Sequence, residues 1–308
     1  MRIESNSADQ PVKGIIALII ATLFFAVQDG MTKHLTDTVA VPQIISIRFL
    51  FFSLFAIGYA HFRCGIRIAA VSNNRGQQVV RVLMIVSEIT LFSICLHFLG
   101  IAQMHAIFAC FPLLITALSV PILGEKVGWR RWCAVSAGFI GTLIIIDPTS
   151  NTMNKFVLAA LVCALLFAFY NILTRKLSRT DRFETSLLYF GIVGFLFSLL
   201  VVPFYWQPLA SADIFWLLAV STTSIVGHLL LIKSLQLCEA VILQPFNYFV
   251  LIWAMIVGYL VYGEVLTQQT LIGAALVVLS GVYIAYREYS VTRQSKRKLR
   301  QSLYPPDL

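Results

Sequence analysis

Charge is what this chain has least of. Only 12% of its 308 residues are Asp, Glu, Lys or Arg, about half the share of a soluble domain. Metal-site spacing is missing too. The six cysteines (Cys64, Cys95, Cys110, Cys133, Cys163 and Cys238) are scattered, mostly inside apolar runs, with no CxxC and no Cys/His cluster. They read as small packing residues. There is no HExxH, no GxSxG, no Walker A pattern and no pair of carboxylates at metal spacing, which argues against a metallohydrolase, a serine hydrolase or an ATP-driven pump in one chain. No substantial extramembrane loop is left to house another chemistry, so no enzyme activity, cofactor or metal is expected. No cleavable signal peptide is evident, because the first apolar run is too long for one and has a partner later in the chain.

What is present is apolar. Hydrophobic residues make up 59% of the chain, and they fall in ten runs of helical length, roughly 14–35, 42–61, 79–99, 102–123, 129–147, 155–176, 184–204, 213–234, 239–262 and 268–287. A spanning helix needs about 20 such residues. The expected fold is therefore an all-α integral membrane protein of ten transmembrane helices. Most connections are short, so sequential helices should pack antiparallel. With the N-terminus inside, every Lys and Arg except Lys33, Lys155 and Arg48 falls in a cytoplasmic segment, as the positive-inside rule requires. Both termini are then inside. The net charge of +9 follows this topology and is no sign of nucleic-acid binding. The basic tail, Arg293 to Arg300, is expected to rest on anionic headgroups of a cell (inner) membrane.

The chain also repeats. Phe25–Leu35 reads FAVQDGMTKHL, and Phe167–Leu177 reads FAFYNILTRKL. Phe, Ala, Thr and Leu recur in place; Asp29 meets Asn171 and Lys33 meets Arg175. The non-aliphatic residues Phe25, Gln28, Asp29 and Thr32, like Phe167, Tyr170, Asn171 and Thr174, share one helix face. Such a stripe faces protein or a water-filled cavity, as helix–helix glue or as a cavity wall. Gly124-Glu125 ends the fourth run and Gly263-Glu264 the ninth, each after a proline-bearing stretch with Pro112 or Pro245. Five helices per repeat is odd, so the second half must be inverted. The expected divisions are a cytoplasmic segment 1–12, a first five-helix repeat 13–150, a second 151–288 and the tail 289–308. Inverted halves with a site between them are the architecture expected of secondary transporters.

The five-plus-five pattern, the two Gly-Glu pairs and the matched ends of the first and sixth runs resemble the drug/metabolite transporter superfamily, and within it the EamA-like family. The resemblance spans roughly Lys13 to Arg287. It implies an alternating-access carrier of a small organic solute (an amino acid, another metabolite or a drug-like compound), more often an exporter, with import or exchange of a metabolite or cofactor as the alternative. A homodimer stays open. Pro112, Gly124, Glu125, Pro245, Gly263 and Glu264 carry over as structural positions, Gly permitting the turn and Glu lying in or near the first turn of the next helix.

Ionisable residues inside a span need a reason, since each costs about 2.5–3.5 kcal/mol on insertion scales. Asp29 and Arg48 lie at similar depth on consecutive helices and could pair, as a structural buried pair or as a substrate-carboxylate site. Glu88 and His228 occupy matched places in the third and eighth runs and are the candidates for proton coupling, with hydrogen bonding to a neighbouring helix as the plainer alternative. Gln28, Tyr170, Asn171, Asn247, Tyr248 and Trp253, with Phe24, Phe25 and Phe169, form the candidate lining for a medium-sized amphipathic solute. His97 and His105 flank a short outer turn and read as interfacial.

Overall fold

The computed structural model describes residues 11–123, 129–146, 155–238, 240–283 and 286. Every regular element among them is helical. They are α1 (Pro11–Leu35), α2 (Val41–Arg63), the single turn α3 (Ile66–Ala69), α4 (Arg75–Leu99), α5 (Ile101–Phe108), α6 (Phe111–Leu123), α7 (Trp129–Ile146), α8 (Lys155–Leu177), α9 (Phe183–Leu199), a 3-10 turn at Val202–Phe204, α10 (Ser211–Leu237), α11 (Ala240–Asn247), α12 (Phe249–Tyr262) and α13 (Gln268–Tyr283). Seven stretches are long and apolar enough to cross a membrane, one of them the α5–α6 stretch, and three shorter apolar helices accompany them. Gly124, Glu125 and the basic tail lie outside the described residues, as do residues 1–10.

The fourth and ninth runs are not continuous helices. The first breaks at Ala109–Cys110 and the second at Tyr248. Ala109 and Tyr248 are separated by the same interval as Gly124 and Gly263, so the two breaks coincide in the repeat register. Proline explains the first. Pro112 has no N–H to give to Phe108, and its ring would strike that carbonyl; α5 ends at Phe108 accordingly, and the 110–114 turn restarts on the Cys110 carbonyl. Pro245 lies within α11, three residues ahead of the second break.

Helix packing follows the register of the sequence repeat. α1 lies along α10, and its counterpart α8 lies along α4; α2 touches α10 as α9 touches α4; α1 meets α12 as α8 meets α6; and α2 pairs with its own counterpart α9. Close approach needs missing side chains. A Cβ on Gly191 would sit 2.8 Å from the Ser53 Cα, and one on Gly273 would sit 2.6 Å from the Gly141 oxygen. These contacts join α9 to α2 and α13 to α7 as small residues do between membrane helices.

Gly263 ends α12 with φ +64°, the left-handed conformation glycine adopts without strain. The expectation for Glu264 is corrected. It precedes α13 by four residues, and its carboxylate instead caps α5, accepting from the backbone N–H groups of Ile101 (3.1 Å) and Ala102 (2.8 Å). It also pairs with Lys33 on α1. The N-terminal N–H groups of a helix have no partner inside it, and a carboxylate both satisfies them and meets the positive end of the dipole.

Candidate functional site

A cavity of about 620 Å³ of empty space, its mouth included, lies among α1, α2, α4, α5, α6, α8, α10, α11 and α12. The polar stripe of α1 supplies Thr22, Phe25, Gln28 and Asp29; α2 supplies Arg48; α4 supplies Glu88, Phe92 and Ser93. His105, Phe108 and Phe111 flank the first break, Phe167 comes from α8, His228 from α10, and Asn247 from the end of α11 at the second break. Both broken helices therefore deliver side chains to one chamber.

The Asp29–Arg48 pair expected from the sequence does not form. Arg48 Nη2 lies 3.1 Å from Ser224 Oγ on α10, because α2 packs against α10 here. Asp29 Oδ2 instead accepts from His105 Nε2 at 3.1 Å. His105 is buried and lines the cavity, which corrects its interfacial reading; its Nδ1 has no hydrogen-bond partner among the described residues. Glu264, in the loop before α13, caps the start of the short helix α5, which carries His105 to the cavity. Glu88 also lines the cavity, with 4% of its surface exposed, and among the described residues its carboxylate has no hydrogen bond and no ion pair. His228 Nδ1 lies 3.1 Å from the Ser224 carbonyl, so that nitrogen carries the hydrogen. Its ring is enclosed by Phe25, Phe52 and Phe190 at centroid distances of 5.0, 6.2 and 4.8 Å.

Of the candidate lining, Gln28, Asp29, Arg48, Asn247 and Phe25 reach the cavity, as do Glu88 and His228. Four site candidates do not. Tyr170 is fully buried away from the cavity, under the Arg81 guanidinium at 5.6 Å. Asn171 donates to the carbonyl of Phe167 in its own helix (2.8 Å). Tyr248 turns from the second break toward α13, where a Cβ on Gly281 would meet its ring. Trp253 packs beside Phe249, and its Nε1 is buried without a partner among the described residues. Phe24 and Phe169 also lie off the cavity. The sequence reading missed His105, Phe92, Phe108 and Phe111. The available signal was Pro112, whose break gathers three of these four residues around it.

Two polar clusters lie beyond the cavity. Toward the Lys33 end of α1, Lys33 sits 4.5 Å over the Tyr262 ring, and the Tyr262 hydroxyl donates to the Gly30 carbonyl at 2.7 Å. In this cluster burial raises the Glu264 carboxyl, but the Ala102 N–H, Lys33 and the Ile101 N–H outweigh it and hold it below its ordinary value. At the other end Arg81, placed by the sequence among the topology-setting charges, is completely buried. It donates to the Ser186 carbonyl (2.7 Å) and to Thr174 Oγ1 (3.3 Å). Asp181 nearby accepts from Ser72, Gln78 and the Asn73 N–H. Arg175 donates to the Leu235 carbonyl at 3.0 Å.

Comparison with known proteins adds the following. The sequence profile of the EamA-like transporter family matches residues 12–147 and 154–286. A riboflavin transporter of Vibrio cholerae is 28% identical over 94% of this chain and 97% of its own length. An S-adenosylmethionine uptake transporter of Rickettsia prowazekii is 23% identical over 90% and 94%, and a pseudopaline exporter of Pseudomonas aeruginosa is 22% identical over 88% and 95%. One crystal structure superposes with a TM-score of 0.65 at 15% identity, covering 90% of this chain and 97% of that one; that likeness concerns the fold alone.

Proposed function

The chain belongs to the EamA-like transporter family, and from that premise we propose that it is a secondary carrier of a small metabolite, working by alternating access around the cavity described above. It is a multi-pass membrane protein of the bacterial inner membrane type, and membrane transport of small metabolites is the activity its relatives are named for. The observation that carries the mechanistic reading is the cavity itself. It gathers Asp29, Arg48 and Glu88 from one half and His228 and Asn247 from the other, where a buried charge without a partner is expensive.

Ten spans in two inverted halves, 13–150 and 151–288 with both termini inside, are part of the proposal. The exchange of packing partners and the coincidence of the two helix breaks support it. Discontinuous helices whose ends meet at a site between repeats suit such carriers. Coupling to protons, in this reading, passes through Glu88, a carboxylate facing the cavity without a hydrogen bond. His228 has the poorer claim, because one ring nitrogen is already committed to a backbone carbonyl and phenyl rings enclose the rest.

Relatives named for uptake and for export match this chain alike, so flux has to be read both ways. The test uses purified protein in proteoliposomes with riboflavin, S-adenosylmethionine and a set of amino acids, with and without an imposed pH gradient. Saturable flux of one compound, abolished when the protein is left out, is expected. No flux of any compound, in protein that is monodisperse and folded, would sink the transport reading.

A further inference from the structure

Arg48 and Glu88 face the same cavity, and neither has an ion-pair partner among the described residues. Arg48 has one hydrogen bond, to a neutral serine. The Glu88 carboxylate has none. Each side chain feels the charge of the other, and both feel the charge of Asp29 more strongly. Yet the two do not close on one another, although a contact pair would lower the cost of burying both. Asp29 is different, since His105 already holds it.

A cation and an anion kept apart on one cavity wall fit a ligand that brings the opposite charge to each. Much of the remaining lining is aromatic, beside aliphatic Ile85, Ile89, Leu231 and Val250. Phe92 and Phe108 pack edge to face at 5.1 Å, and Phe108, Phe111 and Phe167 form a continuous cluster at 4.9–5.3 Å between centroids. Gln28, whose Oε1 is buried without a partner among the described residues, adds an amide edge on the Asp29 side of this cluster. Phenyl faces suit a flat ring, and an amide suits its hydrogen-bonding rim.

We infer that the cavity takes a zwitterion carried on an aromatic or heteroaromatic ring system, its carboxylate on the Arg48 guanidinium and its ammonium on the Glu88 carboxylate. This rests on the transport reading for the identity of the cavity as a substrate site, and it narrows the substrate class. Arg48 has a planar fork that matches a carboxylate with two parallel bonds. Glu88 then has two alternative occupants, a proton or the substrate's cation, which exclude one another.

The test is binding to the purified full chain in detergent, which needs no flux. The probes are S-adenosylhomocysteine, its decarboxylated derivative and 5′-methylthioadenosine, all uncharged at sulfur: one ring with both charged groups, without the carboxylate, and without the amino-acid part. Riboflavin serves as a neutral ring of another shape. Each charged group is expected to tighten binding roughly tenfold or more, the scale of a charge-assisted hydrogen bond. Arg48→Gln should erase the preference for S-adenosylhomocysteine over its decarboxylated derivative while leaving affinity for 5′-methylthioadenosine within about twofold. Glu88→Gln should weaken both charged probes toward the neutral one. A side chain with a purely structural role would lower affinity for all probes together. Equal affinity for the four probes in wild type, binding of riboflavin alone, or no binding of any charged probe overturns the proposal. If binding follows the expected order but proteoliposome flux is absent, it is the transport reading that fails. Flux of a neutral solute without preference for the zwitterion leaves transport standing and removes this inference.

Discussion

His105 Nε2 and Asp29 Oδ2 stand 3.1 Å apart at the cavity wall, joining the short helix α5 to α1. Four residues along α1, on the same face, Lys33 makes a second tie to α5 through Glu264. The first half of a broken helix is thus held to one long helix at two points. The first point is a buried hydrogen bond to an ionisable acceptor. Replacing His105 by Phe should lower unfolding stability by about 1.5–3 kcal/mol, because the carboxylate loses its donor on Oδ2 and keeps only the longer bond from Gln28 Nε2 on Oδ1, at 3.4 Å. Asp29→Asn should then cost less in the His105→Phe background than in wild type. Thermal or denaturant melts of the four proteins give the coupling directly, and simple additivity would show that the contact carries no energy.

Glu264 gives a pH dependence with a definite sign. Its carboxyl is held below the ordinary 4.5 in the folded protein, so the folded state binds the proton less readily than the unfolded one. The stabilisation is complete above about 4.5 and is lost as pH falls below it through the lower folded value. Glu264→Gln should therefore melt below wild type at neutral pH, and the gap should shrink as the medium is acidified past the ordinary carboxylate range. A gap that is constant with pH would mean the ionised carboxylate is not the stabilising form.

Loss of the same tie should also alter access. In a background without native cysteines, a cysteine at Ser93 reports on the cavity between α4 and α5. Glu264→Gln is expected to raise its labelling by a membrane-impermeant maleimide added from outside, at least severalfold. Unchanged labelling would separate the Glu264 cap from closure of that end.

Arg81 is held by two acceptors on different helices, Thr174 on α8 and Ser186 on α9. An ammonium is a compact charge and cannot span both as a planar fork does. Arg81→Lys should be destabilising by roughly 1.5–3 kcal/mol, the worth of a hydrogen bond to a charged group, although it preserves the charge. Membrane orientation, measured by reporter fusions, should not change. A reversal of orientation without loss of stability would return Arg81 to the role of a topology determinant.

Where α7 crosses α13, each glycine occupies the space that a Cβ on the other would need. Gly273→Val should force the helices apart and cost about 1–3 kcal/mol, the usual penalty of overpacking. Gly263→Ala, by contrast, meets no neighbouring atom and should be destabilising only through its left-handed backbone. Melting curves of the two variants distinguish the effects.

The helical elements were legible in the chain because a membrane leaves few choices: backbone groups in hydrocarbon must be satisfied within the segment, so long apolar runs become helices. Every observed long helix occupies an expected run, and membership of the EamA-like family follows from the same pattern. Periodicity also placed Phe25, Gln28 and Asp29 on one face, and that face does meet the cavity. The corresponding face of α8 behaves otherwise: Phe167 reaches the cavity while Tyr170 and Asn171 turn to Arg81 and to the helix backbone. Periodicity specifies a shared face but not which neighbour that face meets. Partner choice among charges was equally hidden. Asp29 and Arg48 match in depth, yet Asp29 goes to His105 and Arg48 to Ser224, because α5 and α10 pack closer to them than they do to each other. The sequence by itself determined the apolar helices, the repeat and the presence of costly charges within it. Only the tertiary structure decided which of those charges are paired, since that depends on contacts between residues up to 231 positions apart, where no local pattern reaches.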